Sequence, residues 1–134
     1  MKIDRSDELV MAAPPEGTFT GEVTIGGYVK RSNPSRLAGA TVDFAPGSRT
    51  PWKVNPMGQT IVILSGNGIV QVEGQDAERV SAGDVVWFEP GKRHWEGATA
   101  DEPMRYFAFQ EEGGGQMVSF GDAVSSTEYD ASMD

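Results

Sequence analysis

The chain has 134 residues, with 20 Asp and Glu against 11 Lys and Arg, for a formal net charge of −9. That length suits one domain with its own core, and that charge disfavours nucleic acid and anionic membrane surfaces as partners. The absence of Cys excludes a disulfide framework and a thiolate metal site.

No apolar run approaches the roughly 18 residues that a membrane helix needs. The start, MKIDRSDELVMAAPP, lacks a basic stretch followed by an apolar core. A cytoplasmic location is expected. A hydrophobic fraction of 38% with 17 Gly and 8 Pro fits many short strands joined by turns.

In chain order, residues 1–16 read as a loosely held arm ending in Ala12-Ala13-Pro14-Pro15. Phe19 to Ile25 alternates apolar and polar residues, which predicts a strand burying Phe19, Val23 and Ile25. Gly26-Gly27 and Ser32-Asn33-Pro34-Ser35 mark loops. Leu37 to Phe44 is the first strand of a barrel, with Thr41 and Asp43 facing away from Val42 and Phe44. Trp52 to Asn55 is extended, Pro56-Met57-Gly58 turns the chain back, and Gln59 to Leu64 follows as a β-branched strand.

Gly66-Asn67-Gly68 predicts a hairpin, and Ile69 to Glu73 the returning strand. Strands are also expected at Glu78 to Val80, at Val85 to Phe88, from His94 onward, and at Met104 to Gln110. In the last of these, Met104, Tyr106 and Ala108 share one face. Residues 111–115 form a flexible break, Met117 to Phe120 a short strand, and the rest an acidic, Ser-rich tail without helical periodicity. The fold class predicted is all-β, an antiparallel barrel or jelly roll in a single domain spanning 1–134. Its core barrel covers about 38–110, with an N-terminal arm and strand over 1–30 and the tail over 116–134.

The stretch GSRTPWKVNPMGQTIVILSG, Gly47 to Gly66, carries the first candidate site. Alternation puts Lys53 and Asn55 on one face, and the turn at Pro56 can bring Gln59 onto it. Three polar groups on the inner side of an apolar sheet are costly to bury without partners.

The spacing resembles the cupin superfamily. Its first motif is Gly, five residues, His-x-His, three or four residues, Glu or Gln, six residues, Gly; here Gly47, Gln59 and Gly66 stand in place, with Lys53 and Asn55 at the two His positions. Its second motif is Gly, five residues, Pro-x-Gly, two residues, His; here GDVVWFEPGKRH supplies Gly83, Gly91 and His94, with Glu89-Pro90 replacing the usual Pro-x. The resemblance covers about 38–110. It is nearest to small bacterial cupins with WHxHPxGQ and GDVVWxxPGxxHWHGA, some associated with carboxymuconolactone decarboxylases and some acting as manganese-dependent hydroxynitrile lyases. It implies a jelly-roll barrel, a homodimer paired through an early strand, and a small-molecule ligand.

On this resemblance His94, the sole His, is the surviving metal ligand or a general base. Gln59 offers a weak neutral ligand, or orients its neighbours. Lys53 has donors and no lone pair when charged. It reads as a nucleophile, as a fixed cation in place of a metal, or as the filling of a dead metal site. Glu96, two residues after His94, shares its face and can pair with Lys53, ligate, or be a solvated rim charge. Tyr106 can hydrogen-bond substrate or be a core aromatic. Trp52 and Trp87 are candidates for a pocket wall, and otherwise packing.

Three functions follow as expectations. The first is a lyase or isomerase with acid–base chemistry on a small carbonyl-type substrate, using Lys53, His94, Glu96 and Tyr106, with Asn55 and Gln59 binding substrate and no tightly held metal. The second is a Mn- or Fe-dependent lyase or dioxygenase holding its metal through Gln59 and His94. The third is a non-catalytic binding or structural barrel. No P-loop, GxGxxG or nucleophile elbow appears.

Overall fold

The computed structural model describes Met1–Asp134. Ten strands form one curled antiparallel sheet: β1 Met11–Ala12, β2 Val23–Lys30, β3 Leu37–Phe44, β4 Lys53–Val54, β5 Gln59–Val72, β6 Glu78–Ser81, β7 Val85–Phe88, β8 His94–Ala98, β9 Met104–Glu111 and β10 Ser119–Phe120. A short helix, α1, spans Ser126–Ser132. The order β1-β2-β3-β9-β5-β8-β4-β10, with β6 and β7 also on β5, is the expected all-β jelly-roll barrel.

The core follows from strand alternation. Phe44, Ile61, Ile63, Phe88, Met104, Tyr106 and Ala108 point into one cluster, and each large apolar side chain buried there contributes roughly 1.5–3 kcal/mol. That apolar mass offsets the cost of the polar groups it surrounds. A second cluster holds Trp52, Ile69, Trp95, Val124 and Tyr129.

β5 departs from the expected hairpin at Gly66-Asn67-Gly68. The strand runs on for 14 residues. It pairs with β7 and β9 up to Gly66, then with β6 and β8 from Asn67 onward. The register slips between Ile63 and Ser65, and Gly66 adopts a φ of +79°. A β-carbon there would lie 1.9 Å from the Pro103 carbonyl oxygen. The glycine signal therefore marked a bend that carries one strand between two sides of the barrel.

Four further expectations are corrected. The early strand begins at Val23, and of the preceding residues only Thr20 bridges to Arg49, because Gly21 turns with a φ of +83°. Gly26-Gly27 lies inside β2 as a bulge, close under Val10 and Leu9, so small residues are needed by contact and not by a loop. The arm is accordingly tied down: Met11 and Ala12 pair with β2. The tail holds a helix, too short for a periodic pattern. The Ser125–Glu128 capping box starts it. Arg49 docks it, with Nε donating to the Val124 carbonyl at 3.0 Å and its guanidinium over the Tyr129 ring. No helix is long and apolar enough to cross a membrane.

Candidate functional site

The barrel interior carries a cluster of polar side chains drawn from four strands. Lys53 comes from β4, Gln59 from the start of β5, His94 and Glu96 from β8, and Tyr106 from β9. Antiparallel pairing sets them face to face: Lys53 opposes His94, and Tyr106 opposes Ile63 on β5. His94 and Glu96 lie on one face because they are two residues apart in a strand. All five are nearly sealed from solvent, between 0% and 6% exposed.

The contacts form one connected chain. Lys53 Nζ donates to Gln59 Oε1 at 2.9 Å and, more tightly, to Glu96 Oε1. Tyr106 donates its hydroxyl to the same Glu96 oxygen at 2.7 Å. Gln59 turns its NH2 away, to Gln110 Oε1 at 3.1 Å, and Gln110 in turn donates to the Ala38 carbonyl. The backbone thus fixes the direction of the Gln59 amide. Two of the three ammonium hydrogens of Lys53 are committed, leaving one donor.

His94 Nδ1 donates to the Lys92 carbonyl at 2.8 Å, which leaves the lone pair of the neutral ring on Nε2. Phe88 stacks on the imidazole at 3.9 Å between centroids and holds its plane. Nε2 faces Glu96 Oε2 at 3.9 Å and Gln59 Oε1 at 3.5 Å. Glu96 Oε2 is buried without a hydrogen-bond donor. A neutral nitrogen and a carboxylate oxygen, both acceptors, therefore face each other with no proton between them.

Burial shapes the protonation states. It pulls the Glu96 carboxyl up, yet the charge of Lys53, then His94, and the hydrogen bonds from Lys53 and Tyr106 together hold it below its ordinary value. Burial likewise lowers His94; Glu96 opposes this, Lys53 adds to it, and the Lys92 carbonyl opposes it. Tyr106 is pushed well above the usual phenol range by burial and by the carboxylate beside it. At neutral pH the cluster is a carboxylate, a neutral imidazole and a neutral phenol, with the ammonium paired to the carboxylate.

Asn55 is buried, but it turns elsewhere. Its Nδ2 donates to the Met117 carbonyl at 2.8 Å, and its Oδ1 has no donor. Trp52 packs in the second cluster under the Arg93 guanidinium, away from the five residues. Trp87 is 56% exposed on the outer side of β7, so neither tryptophan lines the interior. Gln110 was missed by the sequence reading, although it continues the inward parity of Met104, Tyr106 and Ala108. Two sizeable cavities, about 740 and 630 Å3, lie at the surface beside Glu73–Glu78 and beside Pro14–Val23.

These residues do not fit a divalent cation. The ammonium of Lys53 stands between the oxygens of Gln59 and Glu96 and already supplies the positive charge they would share. His94 and Glu96 are the only strong donors, and no cluster of three His, Cys, Asp or Glu exists.

Comparisons with known proteins agree with the barrel fold. Residues 40–109 match a family model described as the cupin domain. A curated relative, (R)-mandelonitrile lyase of Granulicella tundricola, is 39% identical over 129 residues, covering 96% of this chain and 98% of that one. A cupin-like protein of Thermotoga maritima superposes with a TM-score of 0.83 at 28% identity, over 90% of this chain and 92% of its own. The polyketide cyclase RemF of Streptomyces resistomycificus shares the fold, with a TM-score of 0.75 at 16% identity, over 97% and 91% of the two chains.

Proposed function

This chain belongs to the cupin domain family, and from that premise we propose that it is an acid–base lyase acting on a small, neutral hydroxy compound of the cyanohydrin type without a bound metal. The observation that carries the reading is the unpartnered Glu96 Oε2 facing the lone pair of His94 Nε2. An acceptor left open in a sealed interior calls for a ligand with a donor, and a substrate hydroxyl supplies one hydrogen, to His94 Nε2. The internal pairing of Lys53 with Glu96 leaves no net charge to hold an anion.

In this reading the substrate hydroxyl sits between Glu96 Oε2 and His94 Nε2. His94 takes the hydroxyl proton as general base. The oxygen pair becomes the carbonyl π bond, and the C–C bond to the nitrile breaks with its electrons on cyanide. The one uncommitted Lys53 hydrogen would then be available to stabilise the developing negative charge in a dry site. His94 then returns its proton to cyanide, so hydrogen cyanide and an aldehyde leave and the imidazole is neutral again. Tyr106 holds Glu96 in place.

The direct test is cleavage of mandelonitrile, followed as aldehyde release, in enzyme stripped with chelator. Turnover that survives chelation and falls by about 10²–10⁴ in His94→Gln supports general-base catalysis. Absence of turnover on any small cyanohydrin, with the fold intact, would leave a binding protein.

A cytoplasmic homodimer is part of the same proposal. Leu64, Val85 and Trp87 are 50%, 64% and 56% exposed on the outer side of the sheet, where Val85 pairs with Val62 and Trp87 with Thr60. A second copy of the chain would cover these apolar side chains.

A further inference from the structure

We propose that residues 112–120 form a strap that opens to admit ligand and closes over the barrel interior, with Asn55 as its latch. The inference concerns access to the interior cluster and rests on the reading that this cluster is the reacting site.

The contrast in burial motivates it. Lys53, Gln59, His94 and Glu96 are sealed, so a ligand can reach them only if some segment moves. No residue from Glu111 to Phe120 is buried. This segment nevertheless lies against the site. Asn55 Nδ2 holds the Met117 carbonyl, Gln110 Nε2 approaches Met117 Sδ at 3.8 Å, and Phe120 pairs directly with Lys53. Gly113 packs on Met57 and Pro56, at the turn between Asn55 and Gln59. Segments with few buried side chains are those whose local opening costs least.

The ends of the strap are suited to motion. Gly113-Gly114-Gly115 forms its near end, with Gly114 and Gly115 at φ of +61° and +85°, and Gly113 and Gln116 close a tight loop through two mutual backbone bonds. At the far end, Trp52 exchanges bonds with Gly121 and Asp122 at 2.7 and 2.9 Å, a fixed anchor. Between these points two barrel side chains donate to the strap, Asn55 to the Met117 carbonyl at 2.8 Å and Gln110 to Met117 Sδ at 3.8 Å, and Ser119 and Phe120 pair with β4. Asn55 Oδ1 stays buried and unpartnered in the closed form. Opening frees the whole amide to meet water or ligand, which lowers the cost of opening. Met117 is then the roof of the interior and the residue whose bulk limits ligand size.

The chain is suited to a test because it has one His and no Cys. A β-carbon built on Gly113 falls 2.7 Å from Met57 Cγ, and Gly113 does not need a positive φ. A Met57→Cys, Gly113→Cys pair is therefore placed for a disulfide, and neither residue belongs to the cluster. Diethyl pyrocarbonate acylates neutral imidazole, and mass analysis reads its addition at His94. In the wild type and the reduced double variant, His94 should be modified in the folded state. Oxidation should slow this at least tenfold, and reductant should restore it. Equal rates in the oxidised and reduced forms, or a wild-type His94 that never reacts while folded, would overturn the strap. If the disulfide does not close, hydrogen exchange of the unmodified chain decides. The Gly113 and Gln116 amides should exchange together, well ahead of Ile63 and Gly83; equal protection would overturn the proposal. None of these readouts needs turnover, so a protein without lyase activity but with a gated His94 would sink the proposed function and leave the strap standing.

Discussion

Lys53 and Glu96, 43 residues apart in the chain, form an ion pair whose side chains are 5% and 0% exposed. Gln59 and Tyr106 complete it, each bonded to one of the two partners. A buried pair is weak evidence of stability in itself, because desolvation consumes most of the attraction. Removing one partner is a different matter.

Lys53→Met leaves the Glu96 carboxylate buried without its counter-charge, and should cost about 3–5 kcal/mol at neutral pH. Lys53→Met with Glu96→Gln removes both charges and should recover much of that loss. Urea unfolding of the two singles and the double measures the coupling. Additive losses would mean that the pair is not linked as its geometry requires.

Metal content is expected to respond to two substitutions. Lys53→His with Asn55→His replaces the ammonium by an imidazole and adds a second, giving three with His94. Manganese or iron measured by plasma emission should rise from a low level to near one per chain. An unchanged content would show that the strands do not bring these positions to one centre.

Stability should fall on the acid side in two stages. His94 is lowered below 6.5 by burial, so the unfolded chain takes up its proton first and stability is lost as pH falls below about 6.5. Glu96 is lowered below 4.5, so its contribution is complete above the ordinary carboxylate range and is lost as pH falls through its lower folded value. His94→Gln should remove the first stage and leave the second. A wild-type curve flat between about pH 7 and 5 would contradict the buried neutral imidazole.

Tyr106→Phe deletes the hydroxyl that donates to Glu96 Oε1 without changing ring volume much. The loss of a donor to a buried carboxylate should cost about 1–3 kcal/mol. If Tyr106 only positions Glu96, turnover should drop with little change in its pH profile. A displaced profile would give the phenol a direct part in proton transfer.

The oligomer is checked by light scattering at micromolar concentration, where a dimer is expected. Trp87→Lys with Leu64→Lys places charges on the outer apolar side chains. These should shift the mass toward monomer while leaving the fold intact. A monomeric wild type would end the dimer reading.

Much of the barrel was legible in the sequence because strand chemistry is local. Leu37–Phe44 and Val85–Phe88 were read with their observed bounds, since β-branched and apolar runs between glycine turns leave few alternatives. The grouping of Lys53, Asn55, Gln59, His94, Glu96 and Tyr106 was expected from two-residue alternation together with the resemblance to the cupin family. What alternation cannot supply is which sheet a strand joins. Gly66 could close a hairpin or bend a long strand, and the Pro103 carbonyl 1.9 Å from its missing β-carbon decides for the bend. The two tryptophans illustrate the same limit. Trp52 and Trp87 differ little in local pattern, yet one fills a second core with Trp95 and the other faces outward. The tail helix depends on Arg49, reaching Val124 from 75 residues away, and seven residues carry no helical period to read. The direction of each side chain at the site also came from tertiary pairing. Asn55 was placed beside Lys53 by alternation, but the Met117 carbonyl claims its NH2 group. Glu96 could have been a rim charge, and full burial against an ammonium made it an ion pair, because only in a sealed interior does the carboxylate have no better partner in water.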